Sequence, residues 1–280
     1  MADRAMGRKV RKTPHFMRVP VSDRAARLGL VPGKVYAFAN QKGGVGKTTT
    51  AINLAACLAE AGERALVVDL DPQANATSGL GMRANGTSSY DLLDGAPLSE
   101  LAKPTRFENL FLVPSKPELA GAAVELSQRE DGDRYLADAL QHAEGFDFVL
   151  LDCPPSLGPL TVNALAAADR VIVPVQAEYY ALEGLAQLVQ SINLIKARLN
   201  PNLLIAGVLL TMTDGRTRLS ADVEAEVRKH FGKLVFDAVV PRSVRVAEAP
   251  SHGLPVTHYD RRSRGAEAYW KVAMELVERP

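Results

Sequence analysis

The stretch Gln41-Lys42-Gly43-Gly44-Val45-Gly46-Lys47-Thr48-Thr49 constrains the fold of this chain more than any other. Glycine loses the most backbone freedom on ordering, so Gly43, Gly44 and Gly46 together point to a tight turn rather than to a helix or strand interior. The apolar run Val35-Tyr36-Ala37-Phe38-Ala39 stands before the turn. A helical pattern follows over residues 47–61, and Gly62 ends it. Strand, glycine loop and helix in this order make a phosphate cradle. Backbone N–H groups of the loop turn inward on phosphate oxygens, and the helix N-terminus adds the positive end of its dipole. Lys47 is expected to reach the β- and γ-phosphates and the Thr48 hydroxyl to ligate Mg²⁺.

The rest of the chain repeats the alternation. Apolar runs occupy residues 65–68, 109–113, 146–151, 170–175, 203–210 and 234–240, with helical patterns near 161–168, 182–199, 220–231 and 265–277. The runs are continuous in Val, Ile and Leu rather than alternating, which suits a sheet covered on both faces. The expected fold class is therefore α/β: a doubly wound, mostly parallel sheet with helices on both faces. Ligands of such sheets lie at the carboxyl ends of the strands. Asp69 and Asp71 end the second run and Asp152 ends the fourth, so all three carboxylates are expected to face the loop. Asp152 suits a carboxylate that orients the water shell of Mg²⁺.

Composition narrows the classes. Lys and Arg number 33 against 32 Asp and Glu, so overall charge announces no nucleic-acid partner. The balance is uneven along the chain. Arg4, Arg8, Lys9, Arg11, Lys12, Arg18, Arg24 and Arg27 crowd the start, opposed only by Asp3 and Asp23. Residues 1–33 are expected to form a flexible basic extension, and residues 34–280 a single domain. Cys57 and Cys153 are far apart and lack metal-ligand spacing, which fits a reducing cytosol. The basic start lacks the apolar core of a signal peptide, and no stretch approaches the roughly 20 apolar residues of a spanning helix.

The loop departs from the general pattern G-x-x-x-x-G-K-[ST]: Gln41 takes the first glycine's place, and Lys42 stands inside the loop. In this it resembles the deviant Walker A family, whose loop reads K-G-G-x-G-K-[ST]. The likeness extends from residue 34 to the end. Residues 39–50, Asp69-Leu70-Asp71-Pro72-Gln73, Gln176-Ala177-Glu178-Tyr179-Tyr180 and Val240-Pro241-Arg242-Ser243-Val244-Arg245 are similar to the ParA/Soj group of chromosome- and plasmid-partitioning ATPases.

The resemblance implies an Mg²⁺-dependent ATPase, cycling between ATP and ADP, that closes into a homodimer on ATP. Lys42 would reach the partner's phosphates, Asp71 would position the attacking water, and the loop from Lys42 to Thr49 with Pro241 would hold the nucleotide. The dimer would bind double-stranded DNA without sequence preference through Arg216 and Arg245. A ParB/Spo0J-like partner would release it by stimulating hydrolysis, in the cytoplasm on the nucleoid. Ser243 replaces an Asn frequent after Pro-Arg in the group, and Arg242 could serve nucleotide or DNA. Asp69 would support the loop or the metal's outer shell, and Tyr179, Tyr180 and Trp270 read as packing residues.

Other members of the superfamily set the alternatives. A MinD-like membrane-cycling ATPase should end in a basic amphipathic helix, whereas residues 268–280 show a mixed polar face. An iron–sulfur electron carrier would need bridging cysteines in positions that Cys57 and Cys153 do not supply. A DNA-bound scaffold without turnover would not need Asp71.

Overall fold

The computed structural model describes residues 35–141, 143, 145–178 and 181–279. The basic extension, Tyr179 and Tyr180 lie outside the described residues. The strands are β1 (Val35–Phe38), β2 (Ala65–Asp69), β3 (Lys103–Pro104), β4 (Leu110–Val113), β5 (Phe148–Asp152), β6 (Arg170–Gln176) and β7 (Leu204–Thr211). They form one sheet in the order β3-β4-β2-β5-β1-β6-β7, parallel except for β3.

The first half carries helices α1 (Lys47–Glu60), α2 (Asn75–Gly79), α3 (Ser89–Leu93), α4 (Leu98–Leu101), α5 (Leu119–Gln128) and α6 (Tyr135–Leu140). The second half carries α7 (Pro159–Ala167), α8 (Ala181–Arg198), α9 (Arg218–Phe231), α10 (Val244–Glu248), α11 (Val256–Tyr259) and α12 (Arg264–Glu278).

The period of two explains why continuous apolar runs work here. In β1, Val35 and Ala37 enter one core with α5 to α9, while Tyr36 and Phe38 enter the other with α1 and α12. β2 divides likewise, Leu66 and Val68 to the first core and Val67 to the second, as does β5 with Leu151 and Leu150. A polar residue on either face of these strands would be buried without water. Helices on both faces match the fold class read from the sequence. Trp270 is half-buried against the second core.

The strand order positions the site. β5 lies between β1 and β2, with Phe38 and Asp69 both in register with Asp152. The turns that leave β1, β2 and β5 therefore open at one level on one end of the sheet.

Two expectations are corrected. Residues 234–240 do not form a strand: a 3₁₀ turn at Gly232–Leu234 leads into two isolated bridges, Val208 with Val235 and Thr213 with Pro241. Side chains take the backbone groups that a ladder would have used. The Glu275 carboxylate accepts from the amides of Asp237 (2.8 Å) and Ala238 (2.9 Å). Arg228 and Arg279 donate to the carbonyls of Phe236 (3.0 Å) and Val235 (2.7 Å). The opposite edge gains the unforeseen β3, two residues long and ending in Pro104, a residue suited to an edge because it lacks an N–H.

Candidate functional site

The loop after β1 is built to leave donors free. Gly44 (φ 73°) and Gly46 (φ 91°) adopt the left-handed conformation that side chains resist, and Gly46 begins α1 without a side-chain cap. The first amides of α1 thus point into the loop with no protein acceptor of that kind. Neighbours brace the loop instead. Asn40 Nδ2 donates to the Pro174 carbonyl (2.8 Å), and its Oδ1 accepts the Lys42 amide (3.0 Å). The Thr211 hydroxyl, at the end of β7, donates to the Val45 carbonyl (2.8 Å).

Lys47 is buried, and its Nζ donates to the Lys42 carbonyl across the loop (3.2 Å). Burial lowers its pKa, while Asp152, Cys153 and Asp71 pull the other way. Asp152 has zero exposure, and neither carboxylate oxygen has a hydrogen-bond partner among the described residues. Burial pushes its carboxyl well above the usual range, and Asp69 adds to the rise. The Thr48 hydroxyl and Lys47 act in the opposite sense, the hydroxyl from a looser geometry than a full hydrogen bond. An isolated buried carboxylate costs several kcal/mol, so this one is poised for a cation. A hydrated magnesium ion fits the donor set of Thr48 hydroxyl and Asp152 carboxylate.

Asp69 is a different case. Its Oδ2 accepts the Thr77 amide (2.8 Å) and hydroxyl (2.7 Å), and its Oδ1 accepts the Asp71 amide (3.1 Å). Burial raises its pKa to about 6, and those three bonds hold it lower than burial alone would. Asp69 is thereby committed to shaping the turn that carries Asp71. Asp71 is buried in the crevice wall, its Oδ1 accepting the Gln73 amide (2.9 Å). Ala74 then takes a left-handed φ of 53°, a strained choice for a side-chain-bearing residue, as the chain enters α2.

The remaining candidates lie at the rim. Pro241 bridges Thr213 just past Thr211, which places it beside the loop at the end of β7. The Arg242 amide donates to the Thr213 carbonyl (2.9 Å), so the segments carrying Arg216 and Arg245 leave the same corner of the fold. Ser243 accepts the Val246 amide and caps α10.

Arg216 is 87% exposed and makes a bidentate pair with Asp214, Nε to Oδ1 at 2.9 Å and Nη2 to Oδ2 at 2.8 Å. Arg216 holds the Asp214 carboxyl down at about 2. Arg245, also exposed, pairs with Glu248 (3.1 Å) and Asp260 (3.4 Å). Lys42 forms an exposed ion pair with Glu178 (2.6 Å). Cys57 and Cys153 are both buried thiols.

Sequence reasoning assigned no role to Asn40, Thr211 or Glu178. Thr211 carried a signal, a lone hydroxyl closing an apolar run. Pro174, which Asn40 braces, and Lys42, which Glu178 pairs with, each lie more than 130 positions from their partner, and no local pattern announces those two contacts.

A glycine loop at an uncapped helix start, facing carboxylates from two neighbouring strand ends of a parallel sheet, defines a P-loop nucleoside triphosphatase. Comparison with known proteins narrows the class. The family model for the AAA domain matches residues 33–205. The chain is 56% identical over 243 residues to the chromosome-partitioning ATPase Soj of Thermus thermophilus, covering 87% of this chain and 95% of that one. It is 52% identical over 249 residues to the sporulation initiation inhibitor protein Soj of Bacillus subtilis, covering 88% and 98%. A solved structure of cobyrinic acid a,c-diamide synthase from Mycobacterium smegmatis, with bound ADP and magnesium, superposes with a TM-score of 0.75 at 38% identity, covering 86% and 92%. The chain belongs to the Soj/ParA family of chromosome-partitioning ATPases.

Proposed function

We propose that this chain is the ATP-driven switch of a DNA-partitioning system: two copies close on Mg²⁺-ATP, grip double-stranded DNA without sequence preference, and let go on hydrolysis. The observation that carries the reading is the orphaned Asp152 carboxylate beside buried Lys47 at an uncapped glycine loop. Such a site is costly when empty and strongly favourable to a metal-bound triphosphate.

Residues 43–49 and Pro241 hold the nucleotide, and Thr48 with Asp152 hold magnesium. Held there, magnesium would supply positive charge to offset that of the triphosphate. Lys47 takes the terminal phosphates. Lys42 leaves Glu178 for the partner's phosphates, an exchange made easy because the pair is half-exposed and worth little in water. Asp71, with its loop set by Asp69, positions the attacking water.

Arg216 and Arg245 contact DNA. One arginine contributes little, but pairing the subunits doubles each phosphate contact, so nucleotide-driven closure becomes a switch in DNA affinity. A ParB/Spo0J-like protein accelerates hydrolysis and resets the cycle, which places the protein on the nucleoid. The apolar face of α12, including Tyr269, Val272 and Leu276, is buried in the core with α1. That favours DNA over a bilayer as the surface on which the protein cycles.

The test is a gel shift on non-specific DNA with no nucleotide, ADP, ATP and a slowly hydrolysed analogue, beside liposome sedimentation with ATP. DNA binding only with ATP or the analogue is expected. Binding that ignores nucleotide removes the switch, and lipid binding without DNA binding replaces the DNA reading with a membrane one.

A further inference from the structure

Asn53 sits on α1 one turn past the glycine loop and is buried among alanine and leucine. Its Nδ2 donates to the Thr49 carbonyl (2.7 Å), and its Oδ1 accepts the Val256 amide (2.7 Å). Asparagine is a poor interior helix residue, and an apolar side chain would serve packing better there. Its two bonds join the start of the nucleotide helix to a segment 203 positions away.

That segment, residues 248–260, is held at two further points, one of them next to the nucleotide side. The Arg106 guanidinium donates to the carbonyls of His252 and Gly253. Gly253 (φ 64°) lies so close to Gly81 that a Cβ added there would come within 2.6 Å of the Gly81 Cα. Gly81 follows α2, whose Thr77 holds the Asp69 carboxylate beside Asp71. The ends of the same segment grip Arg245. Glu248 and Asp260 pair with its guanidinium, and the Tyr259 hydroxyl donates to Glu248 (3.2 Å).

We propose that residues 248–260 carry the state of the nucleotide crevice to Arg245, with Asn53 as the positioning residue that sets them. The inference rests on the reading of Arg245 as a DNA contact. Phosphates filling the N-terminus of α1 act on its first turn, which includes the Thr49 carbonyl. Asn53 relays any shift to Val256, because a buried amide pair cannot exchange its partners for water. The segment then rebalances Arg245 between Glu248 and Asp260 on one side and a DNA phosphate on the other, which is a population shift between two sets of ionic partners.

Two variants cut the link from opposite ends. Asn53→Ala removes the amide. Val256→Pro removes the donor and also alters a buried side chain of the second core; Val256 is the first residue of α11, where proline fits, and Pro255 (φ −59°, ψ 150°) already has the extended backbone that a following proline requires. The measurement is the ratio of DNA dissociation constants with ADP and with the slow ATP analogue, at dimer fractions matched by light scattering. Each variant is expected to shrink that ratio at least about fivefold. The double variant is expected to shrink it no further than the worse single one, since Asn53→Ala already removes the bond that Val256→Pro removes.

A merely structural role for Asn53 would lower the melting temperature and leave the ratio intact, and that outcome overturns the proposal. Additive losses overturn it as well. If Asn53→Ala does not fold, Val256→Pro decides alone. Wild-type protein that binds no DNA in any nucleotide state overturns the DNA reading and this inference together, whereas normal switching in a folded Val256→Pro variant overturns this inference only.

Discussion

The nucleotide crevice and the arginine-bearing rim treat charge in opposite ways. In the crevice, Asp152 is wholly buried with neither oxygen hydrogen-bonded among the described residues, and buried Lys47 donates to a backbone carbonyl. On the rim, Arg216 and Arg245 are exposed and already paired with carboxylates of their own chain. The crevice therefore stores an unmet demand that a ligand relieves, and its affinity is intrinsic. The rim stores none. A ligand there must displace a partner, so its affinity is weak, salt-dependent and open to control from elsewhere.

The largest effect should come from the crevice. Asp71→Ala is expected to cut phosphate release by about 10²-fold or more, the range for losing a group that handles the attacking water. ATP-dependent dimerisation and DNA binding should persist, by light scattering and gel shift. Normal hydrolysis in this variant would remove Asp71 from the reaction.

Asp152→Asn should stabilise the nucleotide-free protein by about 1–3 kcal/mol where the carboxyl would ionise, because the amide that replaces it stays neutral in the core. Magnesium should lose its stabilising effect at the same time. Burial raises this carboxyl's pKa, so its favourable contribution is complete below the unfolded value of about 4 and is lost as pH rises. The advantage of Asp152→Asn should accordingly grow with pH, by thermal melts from pH 5 to 8. A variant that melts lower than wild type at every pH would show that the carboxyl is satisfied after all.

On the rim, Arg216→Ala and Arg245→Ala should each weaken DNA binding about tenfold. The slope of log affinity against log salt should become shallower by about 1 for each phosphate that is no longer neutralised. An unchanged slope would make either residue a surface ion pair.

The smallest effects concern the internal partner of Arg216. Asp214→Asn frees the guanidinium and should tighten DNA binding by about two- to threefold, the scale of an exposed pair. Because Asp214 is depressed to about 2, its contribution to folding is present above pH 4 and is lost as pH falls toward 2. Its carboxyl carbon, followed by NMR, should titrate near 2 and return to about 4 in Arg216→Ala. Titration near 4 in the wild type would mean that Arg216 is free in solution.

Much of the crevice was legible because its parts are local. Gly43 to Thr49 must turn tightly between a strand and a helix whatever surrounds them, and aspartates ending apolar runs must emerge at the carboxyl edge of a parallel sheet. The stretch 234–240 misled for the converse reason. Its Val-rich pattern is strand-like, but Glu275, Arg228 and Arg279, from helices elsewhere in the chain, take its backbone groups before a neighbouring strand can. Only the family resemblance separated the roles of Asp69 and Asp71, since both simply end the second apolar run. In the structure, Thr77, folded back on Asp69, separates a scaffolding carboxylate from one that lines the crevice.

By itself, then, the sequence determined the fold class, the phosphate loop and the acidic strand ends, since each follows from periodicity or from backbone demands within about ten residues. Tertiary structure alone decided which charges are met and which are left wanting. It places Lys42 against Glu178, Thr211 on the loop and Asn53 on Val256, and it leaves Asp152 without a hydrogen-bond partner among the described residues. Those outcomes depend on burial and on partners brought together across the sheet, and electrostatic energy depends on distance and solvent access rather than on position in the chain.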